Sequence, residues 1–148
     1  MKYPDSLKLE NQVCFALYRA TNALIKAYKP FLLQLDLTYP QYLVMLCLWQ
    51  QDQIPIKILA GKTSMEPAQL TPLIKRLESK KIIKRVRDAN DERLVMLALT
   101  IKGQRLQQKA ETIPESLRCL VQLSDQELGQ LKRLAEKTCC NLRLEGDE

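Results

Sequence analysis

Five cysteines and no histidine bound the reactive chemistry open to this 148-residue chain. Without an imidazole, Ser-His and Cys-His nucleophile pairs and His-ligated metals are excluded. The cysteines stand at positions 14, 47, 119, 139 and 140, a spacing that wraps no zinc ion, so neither a metal nor a cofactor is expected. What is left is the redox chemistry of thiols. Cys14, Tyr18, Thr21, Ile25 and Tyr28 fall along one helical stripe. From spacing alone, Cys14 is either a small apolar filler on a packed helix or a reactive thiol. Cys47 lies inside the apolar run Tyr42 to Trp49 and reads as core.

A second chemistry, the recognition of phosphates and bases, is written in the middle of the chain. Of the formal net charge of +6, the stretch from Lys75 to Arg93 contributes +4, with eight Lys/Arg against four Asp/Glu. A charge cluster alone is as compatible with a solvated surface as with nucleic-acid binding, so the arrangement has to decide. Leu70, Leu73, Ile74 and Leu77 make one apolar helix face, and the opposite face carries Gln69, Thr71, Lys75 and Arg76. Gln pairs with adenine in two places, Arg or Lys with guanine, and the remaining hydroxyls and cations suit phosphates. Arg87, Asp91 and Arg93 belong to a hairpin that follows. Asp91 and Glu92 flank Arg93, and a carboxylate that buttresses a guanidinium aims it into a narrow minor groove.

The elements that position these groups follow closely, because four glycines leave little room for flexible joints. Leu9 to Leu35 reads as one long amphipathic helix, bent or ended near Pro30. Thr38 and Gln41 form a capping box that opens an apolar helix to about Gln50. Pro55 to about Lys62 and Pro67 to Lys80 are two helices of helix-turn-helix size. Ile82 to Arg87 and Leu94 to Leu99 are β-prone runs around a polar turn. Thr100 caps a helix that runs past Pro114 with a kink, and Ser124 to Glu127 opens the last. The fold expected is mainly α with a small β-hairpin wing, a winged helix-turn-helix in the order ααααββαα. One domain over 1–148 is expected, with dimerisation helices at about 8–36 and 100–143 and the DNA-binding part at about 38–99. The amino terminus lacks the apolar centre of a secretory signal, and no apolar run is long enough for a bilayer. A cytoplasmic protein with no membrane partner is therefore expected.

The run Arg85 to Thr100 (RVRDANDERLVMLALT) resembles the wing of MarR-type regulators, and Leu70 to Leu77 (LTPLIKRL) is similar to their recognition helix. Leu9 to Tyr18 (LENQVCFALY) and Leu37 to Leu46 (LTYPQYLVML) resemble the organic-hydroperoxide-sensing branch of that family, the OhrR regulators. The resemblance implies a homodimeric repressor on double-stranded DNA with a pseudo-palindromic operator, its Cys14 oxidised by an organic hydroperoxide. It also implies Tyr28 and Tyr39 bonded to the thiolate and Tyr18 nearby. Ile113 to Cys119 (IPESLRC) resembles the two-cysteine version of the family, in which Cys119 resolves the sulfenate, a role for which Cys139 and Cys140 compete. Ser64 to Gln69 (SMEPAQ) departs from the family at the start of the recognition helix, which bears on operator preference.

Geometry adds one constraint. Tyr28 is fourteen residues from Cys14, about 21 Å along a straight helix at roughly 1.5 Å per residue. At least Tyr28 is then expected from a two-fold partner. Three other readings stay open: a regulator responding to a phenolic or apolar ligand with Cys14 incidental, a thiol peroxidase, and an interaction module without DNA affinity. Catalytic turnover is not expected of this chain.

Overall fold

Helix α1 (Val13–Gln34) is an unbroken rod of 22 residues in the computed structural model, which describes residues 4–142. Pro30 neither ends nor breaks it. The missing proline N–H costs one hydrogen bond, and the buried Leu32 and Leu35 hold the last turn against the core. The helix closes where Leu37 N donates to the Leu32 carbonyl at 3.0 Å and Asp36 takes a left-handed φ of 53°. At the other end, Leu9–Asn11 forms a separate single turn of 3-10 helix, so Cys14 sits in the first turn of α1.

Helix α2 (Tyr39–Gln50) starts at the expected capping box: Thr38 N donates to Gln41 Oε1 at 3.0 Å and Gln41 N to Thr38 Oγ1 at 3.4 Å. Its apolar residues surround it, which suits a helix packed on all sides. Tyr42, Val44, Met45 and Leu48 are buried, and Gln41, the one buried polar side chain among the described residues, is satisfied by the cap. The core continues through Leu59 of α3 (Ile56–Thr63), Leu70, Ile74 and Leu77 of α4 (Pro67–Ser79), and Ile83, Leu97 and Leu99 of the sheet.

That sheet has three antiparallel strands in the order β1-β3-β2, where β1 is Ile54–Pro55, β2 Ile83–Arg87 and β3 Val95–Leu99. The expected hairpin is present, with Arg85 opposite Leu97 and Arg87 opposite Val95. The extra strand corrects the expectation that Pro55 opens a helix: Ile54 and Pro55 pair with Leu97 and Met96, and α3 begins one residue later. Asp52 secures this edge by accepting the Leu99 N–H at 2.8 Å.

The expected kinked helix is two helices, α5 (Ile101–Ala110) and α6 (Ile113–Val121). Pro114 lies in the first turn of α6, where its missing donor would have had no partner, so it opens a helix instead of bending one. The described residues fall into two compact units that part between Ile113 and Pro114. In the second, α7 (Asp125–Asn141) begins at the Ser124–Glu127 capping box, with Ser124 N to Glu127 Oε2 at 2.8 Å. Hydrogen bonds from Ser124 hold the Glu127 carboxyl below its ordinary range. Arg118 of α6 pairs with Asp125 of α7. No single described helix is long and apolar enough to cross a membrane.

Candidate functional site

Helices α3 and α4 form the expected helix-turn-helix, joined through Ser64, whose φ is 52°. Burial of Leu70, Ile74 and Leu77 fixes the rotation of α4, and Gln69, Thr71, Lys75 and Arg76 are consequently exposed. Two of these four have work inside the helix. Gln69 Oε1 accepts the Glu66 N–H at 3.2 Å in a second capping box, and Thr71 Oγ1 donates to the Pro67 carbonyl at 3.0 Å. A two-point contact from Gln69 to adenine would therefore compete with the cap for the same amide oxygen. Lys75 and Arg76 make no ion pair among the described residues. Ala68 and Pro72, which share the outward face with Lys75 at helical steps, escaped sequence reasoning because they carry no polar group. Their spacing was the available signal, and apolar side chains here suit a thymine methyl.

The wing is braced against this helix by Arg85, whose Nε lies 3.2 Å from each carboxylate oxygen of Glu78 in α4. At the tip, Asp88 Oδ1 accepts the N–H groups of Asn90 and Asp91 at 2.8 and 3.0 Å. Asp91 does not buttress the Arg93 guanidinium as expected. Its carboxylate accepts the Arg93 backbone N–H at 3.0 Å, because a tip this tight leaves the backbone donor nearer than the side chain. Arg87 donates from Nη1 to the Glu92 carbonyl at 3.2 Å, and the side chain of Arg93 is exposed. The far end of α4 is tied to the α1–α2 corner, where Lys80 Nζ lies 3.2 Å from Asp36 Oδ2 and also contacts the Asp36 carbonyl.

The tyrosines expected around a thiol are partly gathered. Tyr28 and Tyr39 have ring centroids 5.0 Å apart, and Tyr42 lies 5.8 Å from Tyr28. Burial pushes the Tyr28 phenol up to about 12, helped by its two tyrosine neighbours, and raises Tyr39 and Tyr42 as well. These hydroxyls thus keep their protons, and remain donors, far above neutral pH. Cys14 is exposed at the opposite end of the same unbroken helix, and Tyr18 is 66% exposed beside it. One chain does not bring Cys14 to Tyr28. Cys119, Cys139 and Cys140 are exposed, whereas Cys47 packs against the core, where burial raises its thiol despite Lys62. Among the described residues no cluster could hold a metal. A cavity of about 440 Å³ lies along Ile25, Leu32, Leu33, Leu37, Tyr39 and Pro40, with Lys26 and Lys29 in its lining.

The family model for the transcriptional regulators SarA/Rot matches residues 26–110, a span that holds the α1–α2 corner, the helix pair and the wing. The chain belongs to the SarA/Rot family of MarR-type transcriptional regulators. The regulator is 41% identical to the organic hydroperoxide resistance transcriptional regulator of Bacillus subtilis, over 86% of this chain and 87% of that one. It is also similar to solved structures of AbfR, a protein of Staphylococcus epidermidis. Reduced AbfR bound to DNA matches with a TM-score of 0.74 and 30% identity, over 93% of this chain and 96% of that one. Overoxidised AbfR bound to DNA matches with a TM-score of 0.73 and 31% identity, over 93% and 97%. The regulator shares with these relatives a DNA-binding winged helix, and its basic α4 and hairpin tip are the parts of the fold that such a module lays against a duplex.

Proposed function

We propose that this regulator is a homodimeric repressor that leaves its operator when an organic hydroperoxide oxidises Cys14. The observation that carries the reading is the layout of α1: an exposed Cys14 in its first turn, and fourteen residues further along it a half-buried Tyr28 that packs on Tyr39 of α2, both phenols keeping their protons. The set is completed by a second copy, whose Tyr28 and Tyr39 reach Cys14 across a two-fold axis. Exposed apolar side chains support such an axis. Val13, Leu17 and Ile25 are exposed on α1, and α7 has no buried residue while Leu131 and Leu134 stand in solvent.

The chemistry balances without a cofactor. Phenol hydroxyls donating to the sulfur favour the thiolate. The thiolate attacks one peroxide oxygen, the O–O bond breaks, and the alkoxide takes a proton and leaves as alcohol, with Cys14 as sulfenic acid. A second thiol then attacks that sulfur, and water leaves as the disulfide forms. Cys119 is the resolving thiol in this reading. That AbfR is found on DNA both reduced and overoxidised supports assigning release to the disulfide step and not to oxidation alone. Two recognition helices about 34 Å apart fit successive major grooves, and a disulfide that shifts them spoils the fit.

The test is fluorescence anisotropy of the reduced protein on DNA from upstream of its own gene, before and after one equivalent of organic hydroperoxide. Affinity is expected to fall on oxidation and return with dithiothreitol, while Cys14→Ser binds DNA and ignores peroxide. A Cys14→Ser protein that still lets go would move the sensor elsewhere. The cavity beside Tyr39 favours a second reading, release by an apolar ligand. Ligand titration of Cys14→Ser separates the two.

A further inference from the structure

We propose that Trp49 is the positioning residue through which the tyrosine cluster sets the seat of the DNA-reading wing. The inference rests on the peroxide-sensing reading above and names the internal connection that reading needs.

Tyr42 and Trp49 are seven residues apart on α2, two turns along one face. The ring of Tyr42 lies 5.8 Å from Tyr28 and 6.1 Å from the indole of Trp49, edge to face. Trp49 spends its single donor on a distant element: Nε1 donates to the carbonyl of Gly103 at 2.9 Å, 54 positions along the chain. At Gly103 the backbone of α5 lies close against the root of the wing. A Cβ at that position would lie 2.3 Å from the carbonyl oxygen of Ile82, the residue just before β2. The same Ile82 carbonyl accepts the backbone N–H of Thr100 at 3.1 Å and its hydroxyl at 2.9 Å, which ties the end of β3 to the start of β2.

A continuous run of close contacts therefore leads from Tyr28 through Tyr42 and Trp49 to the knot where both wing strands begin and end. Packed aromatic rings cannot move independently, so a displacement of Tyr28 obliges Tyr42 to follow and tilts the indole. The Trp49 donor then pulls away from Gly103 or drags it, and the wing root moves against α4. When Trp49 is replaced by Phe, the Thr100 bonds still hold the knot. Only its link to the tyrosines is lost.

Trp49 is the sole tryptophan of the chain, so its emission reports on this one position. In the full-length reduced protein on its operator, cumene hydroperoxide is expected to change Trp49 emission with the time course of DNA release. Cys14→Ser should give neither signal. Trp49→Phe should bind DNA within about twofold of the parent when reduced. Its Cys14 should oxidise at the parental rate by loss of free thiol, while the peroxide dose for half-release rises about fivefold or more. Release with silent Trp49 emission, or a parental dose for Trp49→Phe, overturns the proposal and leaves the sensor standing. Should Trp49→Phe fail to fold, the emission of the parent protein decides. A parent that holds DNA in peroxide removes the sensing reading, and the proposal with it.

Discussion

Lys75 and Arg76 stand next to each other on an exposed helix face with no acidic partner among the described residues, yet they are suited to different tasks. An ammonium meets a phosphate as a point charge, and a guanidinium can grip both acceptors of a guanine edge. Lys75→Ala is accordingly expected to weaken binding to every sequence alike and to lower the slope of log affinity against log salt by about one. Arg76→Ala is expected to cost about 1–3 kcal/mol on the operator and to relax discrimination at one base pair. Anisotropy titrations over a salt series on operator and scrambled DNA measure both. Equal affinities for parent and variants would move the reading face off α4. The roles of Gln69 and Asp91 were only half legible in the sequence. Both were visible as polar groups in the right elements, but a capping box and a tight turn claim their oxygens first. Local backbone donors lie closer to a short side chain than any distant partner, and residue type alone cannot rank the two.

Among the elements, the caps and the buried faces were readable because each is a local pattern. Thr38 with Gln41, Ser124 with Glu127, and the leucine stripe of α4 need only a few neighbouring residues to be recognised. Strand β1 was not readable: two residues, one of them proline, have no periodicity, and only β3 makes them a strand. The Trp49–Gly103 bond was hidden because it spans 54 positions, and the Arg85–Glu78 brace, only seven residues apart, because it forms across the turn between α4 and β2 and follows no helix or strand repeat. Gly103 gives this a measurable side. Alanine there must push back a backbone carbonyl, and about 1–3 kcal/mol of stability is expected to be lost. Gly129 in α7 has open space where its Cβ would be, so Gly129→Ala should hold stability or raise it by up to about 1 kcal/mol. Paired chemical denaturation curves test the contrast, and equal losses would mean that α5 and β2 are not pressed together at Gly103.

At the scale of the whole molecule, the sequence already held the distance argument. Fourteen residues of uninterrupted helix separate Cys14 from Tyr28, and the observed rod leaves no fold-back to close the gap. What the sequence could not supply was the arrangement of a second copy, because an exposed leucine on α7 names no partner by itself. The continuity of α1 from Cys14 to Tyr28 has a genetic consequence. If each site joins the Cys14 of one chain to the Tyr28 of the other, two defective alleles can rescue one another. A mixed dimer of a Cys14→Ser chain and a Tyr28→Phe chain holds one site with both lesions and one with none. Co-expressing the two alleles should restore part of the peroxide response that each lacks alone, whereas a site contained in one chain would stay silent in every mixture.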